Sequence, residues 1–158
     1  PTRVPTKIPT EGPPPVEIIP EPISLGTIRI FGNSREGRRI TVDKSGVYRF
    51  VYQDGAYNVD PNGRARPEDP WLNTVFVFKG APKWDGERIR DEELFLRLGD
   101  SKYYATAEEA ESAARQGNNS TETELETGDD LTLIAVDSQS AYGDNQGEVI
   151  IELFFIGE

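Results

Sequence analysis

The chain has 158 residues, room for one domain and a modest extra segment, with 35% hydrophobic residues and neither cysteine nor histidine. Those two absences exclude disulfides, thiolate nucleophiles, Ser-His-Asp catalysis and Cys/His zinc sites, so any metal is expected to be a hard cation held by oxygens. The formal net charge of −11 repels a phosphate backbone and argues against nucleic acid, and no apolar run approaches the roughly 18 residues of a membrane span.

Eight of the 12 prolines fall within Pro1–Pro22. Proline fixes φ and removes an amide donor, so this stretch predicts an extended stalk or interaction arm over residues 1–22, with Val16, Ile18 and Ile19 available for packing. From Ile23 the pattern becomes strand, turn, strand. Strands are predicted at Ile23–Phe31, Arg39–Val42, Gly46–Tyr52, Thr74–Phe78 and Leu94–Leu98 from alternating or β-branched and aromatic runs. Ala105–Arg115 is the one helical pattern, a surface excursion with Thr106 as its cap, Glu109 three residues on and Gly117 to end it. Thr121–Leu125, Leu131–Val136 and Val149–Ile156 complete the set. Eight short strands with turns between them predict an all-β fold: a jelly-roll β-sandwich of two antiparallel sheets with one short surface helix, spanning 23–158.

The segment between the two most apolar strands is the informative one. A two-residue turn would suffice to join adjacent strands. Instead Val136–Gly147 is long and carries Asp137, Asp144 and Asn145. Calcium takes oxygens from carboxylates, amides and backbone carbonyls. Gly143 and Gly147 would let the backbone fold inward, so that a carbonyl such as that of Ala141 joins them. The spacing is not that of an EF-hand, and an ordinary Asx-rich turn explains the same composition. Trp71 and Trp84 lie in polar stretches, as sugar platforms or as rings that close the edge of the core. Tyr142 is expected to pack the loop onto the core. The acidic clusters Asp85–Glu87 and Asp91–Glu93 are not placed across one cleft by anything in the sequence, so a glycosidase pair is not indicated.

The loop resembles that of the bacterial calcium-dependent galactophilic lectins, small jelly-roll domains with a galactose-binding-like fold. In that family the last two strands flank Asp-x-x-x-(Thr)-Tyr-Gly-Asn-Asn-x-Gly. Here Asp137 is followed by Ala141-Tyr142-Gly143-Asp144-Asn145-Gln146-Gly147. Gly46–Val51 with Gly55-Ala56-Tyr57 resembles the family strand and the loop after it. Gly63-Arg64-Ala65-Arg66-Pro67-Glu68-Asp69 resembles its sugar-bordering Gly-x-Arg-x-His-Pro-Asp-Gln. The resemblance carries an insertion around Ala105–Asn119 and is strongest at the C-terminal loop.

The resemblance implies calcium as cofactor, with Asp137, Asp144, Asn145 and the carbonyls of Ala141 and Tyr57 as ligands. It implies a sugar held over the ion by Asp137, Asp144, Arg66, Asp69 and Trp71. Arg66 stands where the family has His, Asp69 where it has Gln, Ala141 where it has Thr, and Asp144 where it has Asn, so the sugar is expected to differ from galactose. The expected function is calcium-dependent carbohydrate binding, without catalysis, at a cell surface or outside the cell. The alternative is a structural module of an extracellular assembly, with a structural calcium and homo-oligomer contacts through the Pro-rich arm.

Overall fold

In a computed structural model, residues 21–158 are described. The arm read over residues 1–22, and with it Val16, Ile18 and Ile19, lies outside the described residues except for Glu21 and Pro22. Among the described residues eleven strands follow one another with a single α-helix: β1 (Ile23–Phe31), β2 (Arg38–Thr41), β3 (Gly46–Asn58), β4 (Trp71–Leu72), β5 (Val75–Lys79), β6 (Trp84–Asp85), β7 (Arg88–Ile89), β8 (Leu96–Leu98), α1 (Ala107–Gln116), β9 (Ser120–Leu125), β10 (Asp130–Ala135) and β11 (Gln146–Gly157). Two antiparallel sheets face each other. One runs β1-β11-β3, with β9 on the first half of β3 and β4 on its second half; the other runs β2-β10-β5-β8. Successive long strands alternate between sheets, and the last two strands insert between earlier ones, β10 between β2 and β5 and β11 between β1 and β3. This is jelly-roll wiring.

Alternation explains the first sheet. Tyr48, Phe50 and Tyr52 of β3 and Val149, Ile151 and Leu153 of β11 point inward and are buried. Fully burying a side chain of this size contributes about 1.5–3 kcal/mol. The second sheet behaves differently. Val75–Phe78 and Leu131–Ala135 are buried at every position, because these central strands are covered on both faces. The surrounding core cluster takes in Ile89, with Trp84, Leu94 and Phe95 packed against it.

The helix forms where its cap predicts, over Ala107–Gln116. Thr106 accepts a hydrogen bond from the Glu109 amide, and Gly117 ends it. It is less of an excursion than expected. Ala110 and Ala114 are fully buried, and the buried Asn73 pins the helix by donating from Nδ2 to the Ala110 carbonyl (2.7 Å) while its Oδ1 accepts from the Asp100 amide (3.0 Å). No helix among the described residues is long and apolar enough to cross a membrane.

Three elements differ from the sequence reading. β3 continues to Asn58, beyond the expected end at Tyr52, because Gly55 lets it pass a bulge. Its φ is 95°, and a Cβ there would lie 2.0 Å from the Glu148 carbonyl oxygen. Trp71 lies in β4, paired with Asn58, and Trp84 lies in a short hairpin of β6 and β7. That hairpin turns at Gly86-Glu87, with Gly86 at φ 59° in the first central position, as a type II′ turn requires. Asp85-Gly86 between Trp84 and Ile89 was the sequence signal for it.

Candidate functional site

The loop from Val136 to Asn145 leaves β10 and returns into β11, and three side chains shape it. Tyr57 reaches across the core from β3. Its buried hydroxyl donates to the Thr74 carbonyl (2.7 Å) and accepts from the Val136 amide (2.9 Å). Tyr142 folds back beneath the loop, donating to the Ala135 carbonyl (2.6 Å) and accepting from the Asp137 amide (3.1 Å). It packs the loop onto the core, as the sequence suggested. Asn145 is the third. It is 5% exposed, and its Nδ2 donates both protons, to the Gly32 carbonyl (3.0 Å) and to Asp137 Oδ2 (2.8 Å).

With both amide protons placed, Asn145 Oδ1 is defined, and it is buried without a hydrogen-bond partner. Among the described residues only two other side-chain atoms share that condition, Arg90 Nε and Glu148 Oε2. A buried amide oxygen left without a donor costs about 1–3 kcal/mol unless something outside the chain satisfies it. Asp137 accepts from the Ser138 amide through Oδ1 (2.7 Å) and from Asn145 through Oδ2. Burial pushes its carboxyl above the usual carboxylate range. The Asn145 amide and Ser138 N–H pull it down, and the Asp144 charge adds to the rise.

Asp137 and Asp144 line one side of a cavity of about 490 Å³, together with Ser138, Ser140, Ala141 and Gly143. Gly147 supplies part of the bend. At φ 98° it brings β11 so close to β3 that a Cβ would stand 2.4 Å from the Ala56 carbonyl oxygen. Gly143 needs no such freedom, because it sits in the 3-10 turn Tyr142–Asp144.

The opposite side comes from the loop between β3 and β4, closed at its neck by the Asn58–Trp71 pair and by the Val59 amide donating to the Pro70 carbonyl (3.0 Å). Asp60 organises this loop. Its carboxylate accepts from the backbone amides of Arg64 (3.0 Å), Ala65 (2.9 Å) and Arg66 (2.5 Å). The Arg66 amide, with those of Arg64 and Ala65 behind it, holds the Asp60 carboxyl below its ordinary range. Arg66 lines the cavity, with Nη1 on Asp69 Oδ2 at 3.0 Å and its guanidinium carbon 3.4 Å from the ring centroid of Tyr103. Asn62 touches Asp144 across the gap at 3.4 Å.

The fold thus gathers Asp137, Ala141, Asp144 and Arg66 around one cavity, with Asn145 beneath Asp137 and Asp69 beside Arg66. Tyr57 and Trp71 do not line it. The Tyr57 ring lies in the core, and Val59, two residues on, takes the place at the cavity wall. Trp71 is half-buried and exchanges backbone hydrogen bonds with Tyr104 (3.0 and 2.8 Å). The sequence reading did not find Tyr103, Asp60 or Glu87. Glu87 reaches from the β6–β7 turn and accepts from the Ser140 amide (2.8 Å) and hydroxyl (2.7 Å). Trp84 of the same hairpin meets Tyr142 edge-on, centroids 6.0 Å apart, which closes the edge of the core.

Among the described residues no three acidic side chains form a cluster able to hold a metal by themselves. Asp137 and Asp144 alone would supply only a part of the roughly six to eight oxygens that a calcium ion takes. Asn145 Oδ1 and backbone carbonyls are of the right chemistry to add to them.

No family model matches the chain, and no curated protein matches its sequence. Among solved structures it is similar to the N-terminal domain of EclA, described as a PllA-like lectin, with a TM-score of 0.46 and 16% identity over 84% of this chain and 97% of that one. It is also similar to AJLec from the sea anemone Anthopleura japonica, with a TM-score of 0.40 and 12% identity over 87% of this chain and 97% of that one.

Proposed function

We propose that this is a calcium-dependent carbohydrate-binding domain of a secreted or cell-surface protein, acting without catalysis. The observation that carries this reading is Asn145 Oδ1: a buried oxygen, oriented by two donated hydrogen bonds, without a donor of its own and on the amide that holds Asp137. A hard cation satisfies such an oxygen, and the neighbouring carboxylates of Asp137 and Asp144 supply the charge to attract one. Asp137, Asp144, Asn145 and the Ala141 carbonyl would hold the ion. Calcium in that place would supply a positive centre for a vicinal pair of sugar hydroxyls. The chain's own part is to orient the sugar. Carboxylate oxygens of Asp137 and Asp144 accept from hydroxyls, and Arg66 donates to a further oxygen. The cavity, about 490 Å³, is lined by Asp137, Asp144, Arg66, Ser138 and Ser140, side chains able to hydrogen-bond sugar hydroxyls.

Melting the protein in calcium and in chelator tests the reading. Calcium at 100 times its Kd is expected to stabilise the fold by about 2.7 kcal/mol, and Asp137→Ala is expected to abolish both that gain and glycan binding. An unchanged melting temperature from micromolar to millimolar calcium would sink the site. A calcium gain with no glycan bound would replace the reading with a structural calcium in an assembly module.

A further inference from the structure

We propose, resting on the carbohydrate reading above, that the cavity selects an acidic saccharide: the ligand carboxylate sits on the guanidinium edge of Arg66 while its hydroxyls face Asp137 and Asp144. Among the described residues Arg66 is the one cationic side chain lining this cavity, which it shares with the carboxylates of Asp60, Asp137 and Asp144. It is also fixed before any ligand arrives. Its amide is anchored on Asp60, its Nη1 on Asp69, and its guanidinium carbon lies over the Tyr103 ring. Tyr103 is held in turn, because its neighbour Tyr104 exchanges backbone hydrogen bonds with Trp71. A guanidinium stacked on an aromatic face keeps its in-plane N–H groups free for an oxyanion.

A guanidinium carries five N–H donors in a planar fork. Asp69 engages Nη1, and Asp60 directs its carboxylate to backbone amides rather than to the Arg66 side chain. The remaining edge matches a carboxylate, which accepts two parallel charge-assisted bonds. A neutral hydroxyl accepts a single weaker one. Because the side chain is already ordered, little rotamer entropy is lost on binding. The charges across the cavity add a second consequence. Asp137 and Asp144 repel an anionic ligand until a cation balances them, so an acidic sugar is expected to depend on calcium more steeply than its neutral parent.

Titration calorimetry of the whole chain, with methyl glycosides of galacturonic and glucuronic acid against those of galactose and glucose, decides the matter. In saturating calcium at least one uronide is expected to bind about tenfold or more tightly than its neutral parent. Arg66→Gln is expected to remove that preference while the calcium-induced rise in melting temperature persists. Arg66→Lys, which keeps the charge without the fork, is expected to restore only part of it. Neutral glycosides that equal or exceed the uronides, or a uronide preference that survives Arg66→Gln, would overturn the proposal and leave the carbohydrate reading standing. Uronide binding that needs Arg66 but not calcium would sustain the role of Arg66, overturn the expected calcium dependence and remove calcium from the reading. Binding of neither class would overturn both.

Discussion

Tyr142 and Tyr57 each join two strands or loops through a single hydroxyl that both donates and accepts. Buried polar bridges of this kind are asymmetric in their energetics. Made, each bond is worth about 1 kcal/mol; broken from one side, the abandoned backbone groups bear the full loss of solvation. Tyr142→Phe leaves the Ala135 carbonyl and Asp137 amide without their partner while keeping the ring against Trp84. The expected cost is about 1–3 kcal/mol in chemical denaturation, with weaker calcium binding because Asp137 loses its backbone anchor. A change below about 0.5 kcal/mol, within the range of ordinary surface substitutions, would mean that water replaces the hydroxyl. At this scale the polar make-up of the candidate loop was legible. Asp137, Asp144 and Asn145 stand out because Asp and Asn crowd a loop that could have been a tight turn. The orientation of Asn145 was not legible, since it depends on the carbonyl of Gly32, more than a hundred residues away in the chain. Tyr103 was invisible for a similar reason, since it meets Arg66 only in the folded chain, whereas Asp60 bonds amides four to six residues ahead in its own loop and was passed over as one more polar loop residue.

The β6–β7 hairpin is an example at the scale of elements. It contributes only four paired residues, too few for an alternating pattern, so its Asp-Gly turn signal was easily passed over. Yet it braces the candidate loop from outside through Glu87 and Trp84. The two hydrogen bonds from Ser140, amide first and hydroxyl second, hold the Glu87 carboxyl below its ordinary value of 4.5. A depressed carboxylate stabilises the folded arrangement above its unfolded pKa, and the contribution is lost as pH falls through the lower folded pKa. The brace is therefore expected to be complete above pH 4.5 and to release on further acidification. Amide exchange at Ser140 should accelerate below that point in the unmodified protein. Glu87→Ala should exchange quickly at every pH, after correction for intrinsic rates. A Ser140 profile identical in both proteins would show that the brace does not exist in solution. Elsewhere the elements follow their local chemistry closely. The strands at Ile23–Phe31 and around Val149–Ile156, and the Thr106-capped helix, appear where patterning places them. β3 outran its expected end because a bulge at Gln53 and the close approach allowed by Gly55 carry the strand on past Tyr52.

At the scale of the whole molecule, every strand pairing among the described residues is satisfied within Ile23–Gly157. A chain beginning at Glu21 is accordingly expected to keep its β-sheet circular dichroism and to melt within about 4 °C of the longer one, a difference of roughly 1 kcal/mol. Loss of the cooperative transition would show that the Pro-rich segment belongs to the core. The sheet order has one more consequence, which concerns time. β11 lies between β1 and β3, so the two longest early strands share no edge and meet only through the last strand made. During synthesis at roughly 5–20 residues per second, β1 waits several seconds for its partner. Until Gln146–Gly157 emerges, β1 has no partner in the first sheet and the candidate loop has no far end. A domain wired this way can assemble its second sheet, β2-β10-β5-β8, from residues up to Ala135, whereas the first sheet is completed only when β11 joins β1 to β3.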